Sequence, residues 1–309
     1  MELRQLRYFV GVCDAGSLLK ASRSLHVGQP ALSQHMISLE AELETLLFVR
    51  TSRGMTLTES GRRFLDHARV VLADVERARH SARHKQSEIA GEVKLGLPNT
   101  VGLVATLAIL QAIKERHPGV LPQIVESHSG FLQEWLHSGR LDLSVLFEVE
   151  PSAWLLQRPV LTEKLCLIGP RAEGATLPPS VPMRKLDAYP LLLPGRGHGL
   201  RRVVEQACGE HGVQLNVVAE VDSLPNIKKA VKAGMGYTVL SPGAVTDEVA
   251  EGTLSSATIR SPALSRTIVC ATSLVRPQTP AAAAVSSLVV EQLRALVRAG
   301  RWRASLSPE

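Results

Sequence analysis

Near the N-terminus the apolar residues fall at Leu3, Leu6, Phe9, Val10 and Cys13, a spacing that lays one buried stripe along a helix. Gly16 is placed to stop it. Ser17 is placed to cap a second helix over 18–25, where the small Ala21 and Ser22 let another helix approach closely. After a turn at 26–28, Pro30 suits the first turn of a third helix, because its missing N–H would go unpaired there anyway. Leu32, Met36, Leu39 and Leu43 then repeat as an apolar face. Three helices with a tight turn between the second and third predict a helix-turn-helix. Residues 47–58 follow as two short extended segments about a turn containing Gly54, a hairpin that carries Arg50 and Arg53.

Thr58 can cap a long helix from about 59 to 88. Its Leu65, Ala68, Leu72 and Val75 step by three, four and three, close to a coiled-coil seam, which predicts a two-fold contact between copies. After Gly91 strand and helix patterns alternate. Strands are expected at 93–97, 123–126, 142–147, 165–169, 191–194, 217–221, 237–240 and 266–272. Helices are expected at 101–116, 131–138, 200–208, 226–233 and 282–297. Alternation of this kind points to parallel α/β sheets, and the span is long enough for two lobes.

The polar residues change the picture next. Gln29, Ser33 and Gln34 occupy the exposed start of the third helix, where side-chain amides reach adenine edges in a major groove. A hairpin with Arg50 and Arg53 directly behind it reads as a wing on the phosphates. A net charge of +6 fits a polyanionic partner without proving one. In the second half, Asn99, Thr100, Ser127, Ser129, Phe147 and the glycine-rich loop with Arg196 and His198 lie at expected strand ends, where open sheets bind ligands. Hydroxyls, free N–H groups and an arginine suit a small carboxylate. Each hydroxyl alone reads as a helix cap, and His198 alone reads as a surface residue.

The four cysteines, Cys13, Cys166, Cys208 and Cys270, are far apart, which fits a reducing cytoplasm and neither a disulfide scaffold nor a metal site. No cofactor motif stands out. The start of the chain lacks an apolar leader, and no charge-free run of membrane-spanning length occurs. No nucleophile motif or complete dinucleotide loop follows a strand, which argues against an enzyme. A solute-binding protein would leave the helix-turn-helix unexplained, and a thiol sensor needs a partner for Cys208.

The segments LRQLRYFVGVCDAGSLLKAS, QPALSQHMISLEAEL and LFVRTSRGMTLTESG resemble the DNA-binding domain of the LysR-type transcriptional regulators in order and spacing. The resemblance implies that Gln29, Pro30, Ser33 and Gln34 stand on the recognition helix, with His35 at a variable position and Arg50 and Arg53 on the wing. Gly28 stands where the family commonly has a capping serine. The implied fold is α/β: an N-terminal winged helix-turn-helix (1–58) and a linker helix (59–90), then a two-lobed effector-binding domain (91–309) similar to periplasmic solute-binding proteins. Its lobes would be 91–161 with 267–300, and 162–266, with crossovers near 159–163 and 265–268. Double-stranded DNA, a small organic effector and a second or further copies, as homodimer or homotetramer, are the implied partners, with RNA polymerase as a further contact. The stretches RPVLTEKLCLIG and SGRLDLSVLFEVEP resemble the nitrogen assimilation control regulators, which implies a role in nitrogen or organic-acid metabolism; aromatic or organic-acid catabolism is the alternative.

Overall fold

The computed structural model describes residues 1–51, 54–83, 89–147, 152–171 and 176–308, with backbone alone at 50, 51, 54, 76, 77 and 80–83. The chain forms two compact units, residues 1–87 with 138–140 and, for the second, 88–137 with 141–309.

In the first unit, helix α1 (Leu3–Ala15) buries Leu6, Phe9 and Val12 and ends at Gly16, whose φ of 63° is the left-handed conformation that glycine adopts without strain. Helix α2 (Leu18–Ser24) follows Ser17, whose side chain makes no cap bond. Helix α3 (Gln29–Glu42) begins at Gly28 with Pro30 in its first turn and buries Leu32, Met36 and Leu39. Strands β1 (Phe48–Thr51) and β2 (Gly54–Leu57) pair antiparallel. Helix α4 (Glu59–Arg83) is capped by Thr58, whose Oγ1 accepts the Gly61 N–H at 2.9 Å. A Cβ on Gly61 would stand 2.1 Å from the Leu47 carbonyl oxygen, so glycine is what lets this helix start against the wing.

Phe9 joins the elements, with its ring centroid 5.2 Å from that of Phe48 and 5.0 Å from that of Phe64. Full burial of such a side chain contributes about 1.5–3 kcal/mol. Ala68, expected at a seam between copies, is 1% exposed in this same core, with Leu65 and Leu72 packed against it. Ala68 thus belongs to the core of its own unit, Leu65 and Leu72 lie half-buried beside it, and an Asp14–Arg69 ion pair ties α1 to α4 there. Of the expected seam only Val75 is outside that cluster.

The second unit opens with β3 (Gly91–Pro98), α5 (Asn99–Arg116), β4 (Val120–Ser127), α6 (Ser129–His137), β5 (Leu143–Phe147) and β6 (Leu155–Lys164). The chain then crosses into a second lobe with β7 (Cys166–Pro170), β8 (Ser180–Pro182), β9 (Leu191–Leu193), α7 (Gly199–Glu210), β10 (Val217–Glu220), α8 (Leu224–Lys232), β11 (Thr238–Leu240), α9 (Thr246–Ala250) and β12 (Leu254–Arg260). It returns through β13 (Ser265–Ser273), α10 (Pro280–Arg298) and β14 (Ala304–Leu306). The first lobe's sheet runs β14-β6-β13-β5-β3-β4, and the second lobe's main sheet runs β11-β7-β12-β8 beside a parallel β9–β10 pair.

The expected parallel sheets are mixed. β3 is parallel to β4 and β5, whereas β13 runs antiparallel to β5 and β6, and β7 antiparallel to β11 and β12. The return strand has to enter the first sheet from the other lobe, which reverses its direction. The crossovers consequently lie after Lys164 and before Ser265, a few residues off the expected positions, and the first lobe extends to β14. Each lobe has its own core, Leu95, Ile109, Ile113, Val285 and Leu293 in one and Leu167, Ile168, Val204, Ile227 and Val231 in the other. Helix α10 is long and apolar enough to span a membrane, but its Val285, Leu288, Val289 and Leu293 are buried in the first lobe's core.

Candidate functional site

The start of α3 presents Gln29, Pro30 and Gln34 to solvent, with Ser33 half-buried beside them and Leu32 and Met36 facing inward. Gly28 supplies no side-chain cap, so the first-turn N–H groups stay available to a phosphate. His35 turns back and packs on Tyr8, ring centroids 5.0 Å apart, which ties α3 to α1. Glu40, unnoticed in the sequence, holds the wing to this helix: its Oε1 accepts the Leu47 and Phe48 N–H groups at 2.7 and 3.0 Å. Arg53 lies outside the described residues, as does the Arg50 side chain.

In the second unit, α5, α6, α7 and α8 all begin around one cavity between the lobes, lined among others by Asn99, Thr100, Ser127, His128, Ser129, Phe147, His198, Leu224 and Arg266. Each helix start brings unpaired N–H groups and a positive dipole end, so the field there favours an anion. The free volume is about 30 Å³, more than the room a single water needs.

The sequence-expected residues divide here. Asn99, Thr100, Ser127, Ser129, Phe147 and His198 all line the cavity, whereas Arg196 is exposed and does not. The guanidinium in the cleft belongs to Arg266, which sequence reading missed. It lies 3.5 Å from the Phe147 ring centroid, and its Nη2 donates to Thr100 Oγ1 at 3.1 Å. Behind it Glu163 accepts from Arg266 Nε at 2.7 Å, from Trp302 Nε1 at 2.8 Å and from Ser241 Oγ at 2.6 Å. Burial pulls the Arg266 pKa down from its usual range, and the charge and hydrogen bonds of Glu163 act against that fall.

His198 is no surface residue. It caps α7, its Nδ1 accepting the Leu200 N–H at 3.0 Å, so the neutral ring carries its proton on Nε2. Its ring meets that of His128 edge to face with centroids 4.3 Å apart. Burial foremost, then the nearby His128 and Arg266, push the His198 pKa down to about 4. Among the described residues, two buried polar atoms of the cavity lining have no hydrogen-bond partner, Ser129 Oγ and His128 Nδ1, and Ser129 is 4% exposed.

The cysteines are unsuited to thiolate chemistry. Burial raises all four, Cys13 to about 12 and Cys208 to about 11, and Cys166, Cys208 and Cys270 are buried outright.

A winged helix-turn-helix joined to a two-lobed α/β domain with an anion-friendly cleft defines a transcriptional regulator with a sensing domain. Residues 3–62 match the family model for the bacterial regulatory helix-turn-helix protein, lysR family, and residues 86–294 match the LysR substrate binding domain. The chain is 33% identical over 291 residues to the nitrogen assimilation regulatory protein nac of Klebsiella aerogenes, covering 94% of each. It is 30% identical over 280 residues to a hydrogen peroxide-inducible genes activator of Haemophilus influenzae, covering 91% of this chain and 92% of that one. A full-length OxyR variant from Pseudomonas aeruginosa shares the fold with a TM-score of 0.73 at 25% identity, over 100% of this chain and 98% of that chain. The chain belongs to the LysR family of DNA-binding transcriptional regulators.

Proposed function

We propose that the chain reads a promoter with Gln29, Pro30, Ser33 and Gln34 in the major groove and holds the backbone with Arg50 and Arg53. The carrying observation is the polar, solvent-facing start of α3 on a helix whose opposite face is fully packed: an exposed amide pair on a rigid helix is suited to bases, while wing arginines position the protein. Cleft occupancy by a small carboxylate sets the regulator's state, because four helix starts and Arg266 converge there and a ligand needing more than about 30 Å³ prefers the parted lobes. The likeness to nac favours genes of nitrogen metabolism as targets, and the site of action is the cytoplasm, with the DNA. Despite the likeness to peroxide-responsive activators, the buried, high-pKa cysteines support a ligand signal over thiol oxidation.

Helix α5 supports self-association. Its Leu103, Leu107 and Leu110 are 58%, 69% and 38% exposed at helical spacing, an apolar stripe that a second copy would cover. Sequencing the DNA retained by the protein from cells tests the reading: a common motif upstream of genes is expected, and unselected fragments would contradict it.

A further inference from the structure

We propose that Ile37 is a specificity-determining residue of the DNA-reading helix: its aliphatic side chain packs on the C5 methyl group of a thymine in the major groove. This rests on the reading of α3 given above and adds to it a base and the group recognised on that base.

An α-helix turns by about 100° per residue, and in α3 the buried Leu32, Met36 and Leu39 mark the inward direction. By that rotation Pro30, Gln34, Ile37 and Ala41 share the opposite side, and all four are exposed. His35 points elsewhere, onto Tyr8, which fits the same phase. Ile37 is 47% exposed and follows Ser33 and Gln34 by one turn, so it continues the face whose start carries the amides. A lone exposed isoleucine is ordinary on a protein surface. This one stands in line with the residues that meet base edges.

The chemistry of the helix favours an apolar contact there. Between Gln29 and Glu42 it has no Lys or Arg, so it lacks the cations that read guanine. Amides, hydroxyls and aliphatic groups are what it offers to bases, and in the major groove the aliphatic group's natural partner is the thymine methyl. A β-branched side chain on a helix is held close to one rotamer, so Ile37 loses little freedom when it packs. Pro30, the other apolar residue near this face, lies two turns earlier, about 10 Å along the axis or about three base steps. The thymine at Ile37 is therefore a different base from any at Pro30.

The test is a titration of the full chain, at fixed salt, with the duplex most often recovered with it from cells. Each thymine is replaced in turn by deoxyuridine, which lacks only the C5 methyl group. At least one replacement is expected to weaken binding about fourfold, the worth of one buried methyl group. Ile37→Ala should bring that ratio to about one, and Ile37→Val should keep most of it. Ile37 is exposed and alanine is the stronger helix former, so the Ala variant is expected to fold, which circular dichroism checks. A methyl contact releases no counterion, so Ile37→Ala should leave the slope of log K against log salt unchanged; a shallower slope would assign the residue to the backbone and overturn the proposal. A scan in which no deoxyuridine weakens binding also overturns it, as does a fourfold loss that persists in Ile37→Ala. These results spare the reading helix if Gln29→Ala still loses affinity for the recovered duplex alone. A chain that binds the recovered and a scrambled duplex alike overturns both.

Discussion

Arg266 faces Glu163 across β13 and β6, in register, with its Nε 2.7 Å from the carboxylate Oε1 and both side chains at most 5% exposed. The pair lies where both crossover strands meet. Through Ser241 it reaches the second lobe, and through Thr100 it reaches the cleft.

Glu163→Gln leaves a buried guanidinium without its counter-charge. A loss of about 3–5 kcal/mol in unfolding free energy is expected, measured by urea denaturation of the full chain. A loss below about 1 kcal/mol would show that solvent reaches Arg266 and that the pair is not a closed latch.

At the base of the wing, Gly61→Ala forces a methyl group towards the Leu47 carbonyl oxygen, 2.1 Å from the ideal Cβ position. The expected cost is about 1–3 kcal/mol, with a fall in DNA affinity because β1 starts at the next residue. Thermal melting and a DNA titration check it; unchanged values in both would mean that the helix start shifts freely.

The cleft histidine also gives a pH signature. An unfolded histidine keeps its proton up to about pH 6.5, whereas His198 in the fold releases it down to about 4. The unfolded state thus binds more protons between those values, so stability is full above 6.5 and declines as pH falls towards 4, by at most about 3 kcal/mol. Denaturation of His198→Gln across this range should show a shallower decline; a parallel curve contradicts the assignment.

Leu107→Glu on the exposed stripe of α5 should leave the melting temperature of the dissociated chain unchanged and weaken self-association at micromolar concentration. Sedimentation velocity reads it. An unaltered oligomer would place the contact elsewhere.

Much of this was legible in the chain. Local patterns announced α1, α3 and the strands that follow Gly91, because burial periodicity and capping residues lie close together in sequence. What escaped depends on distant partners. Arg266 takes its role from Glu163, 103 residues away, and no local pattern announces that. The strand Leu155–Lys164 contains Pro159, which normally demotes a strand; the register shifts opposite it, between Ile268 and Val269, and this bulge accommodates the proline. Leu65, Ala68 and Leu72 have the spacing of a seam between copies, and the same stripe packs on the core of its own unit with Leu65 and Leu72 half-buried, a second use that spacing alone does not announce. Arg196 and Arg266 are both arginines near the lobe junction, and only the folded strands show which one enters the cleft.

The central claim, that the start of α3 reads DNA sequence, is tested most directly by a competition titration at fixed salt. The duplex most enriched with the protein from cells is set against a scrambled duplex of equal length, for the unaltered chain and for Gln29→Ala. The account predicts a preference of at least about a thousandfold for the enriched duplex, and a loss of about 1–3 kcal/mol on that duplex alone in the variant. Equal affinity for both duplexes, or an equal loss on both, would contradict it.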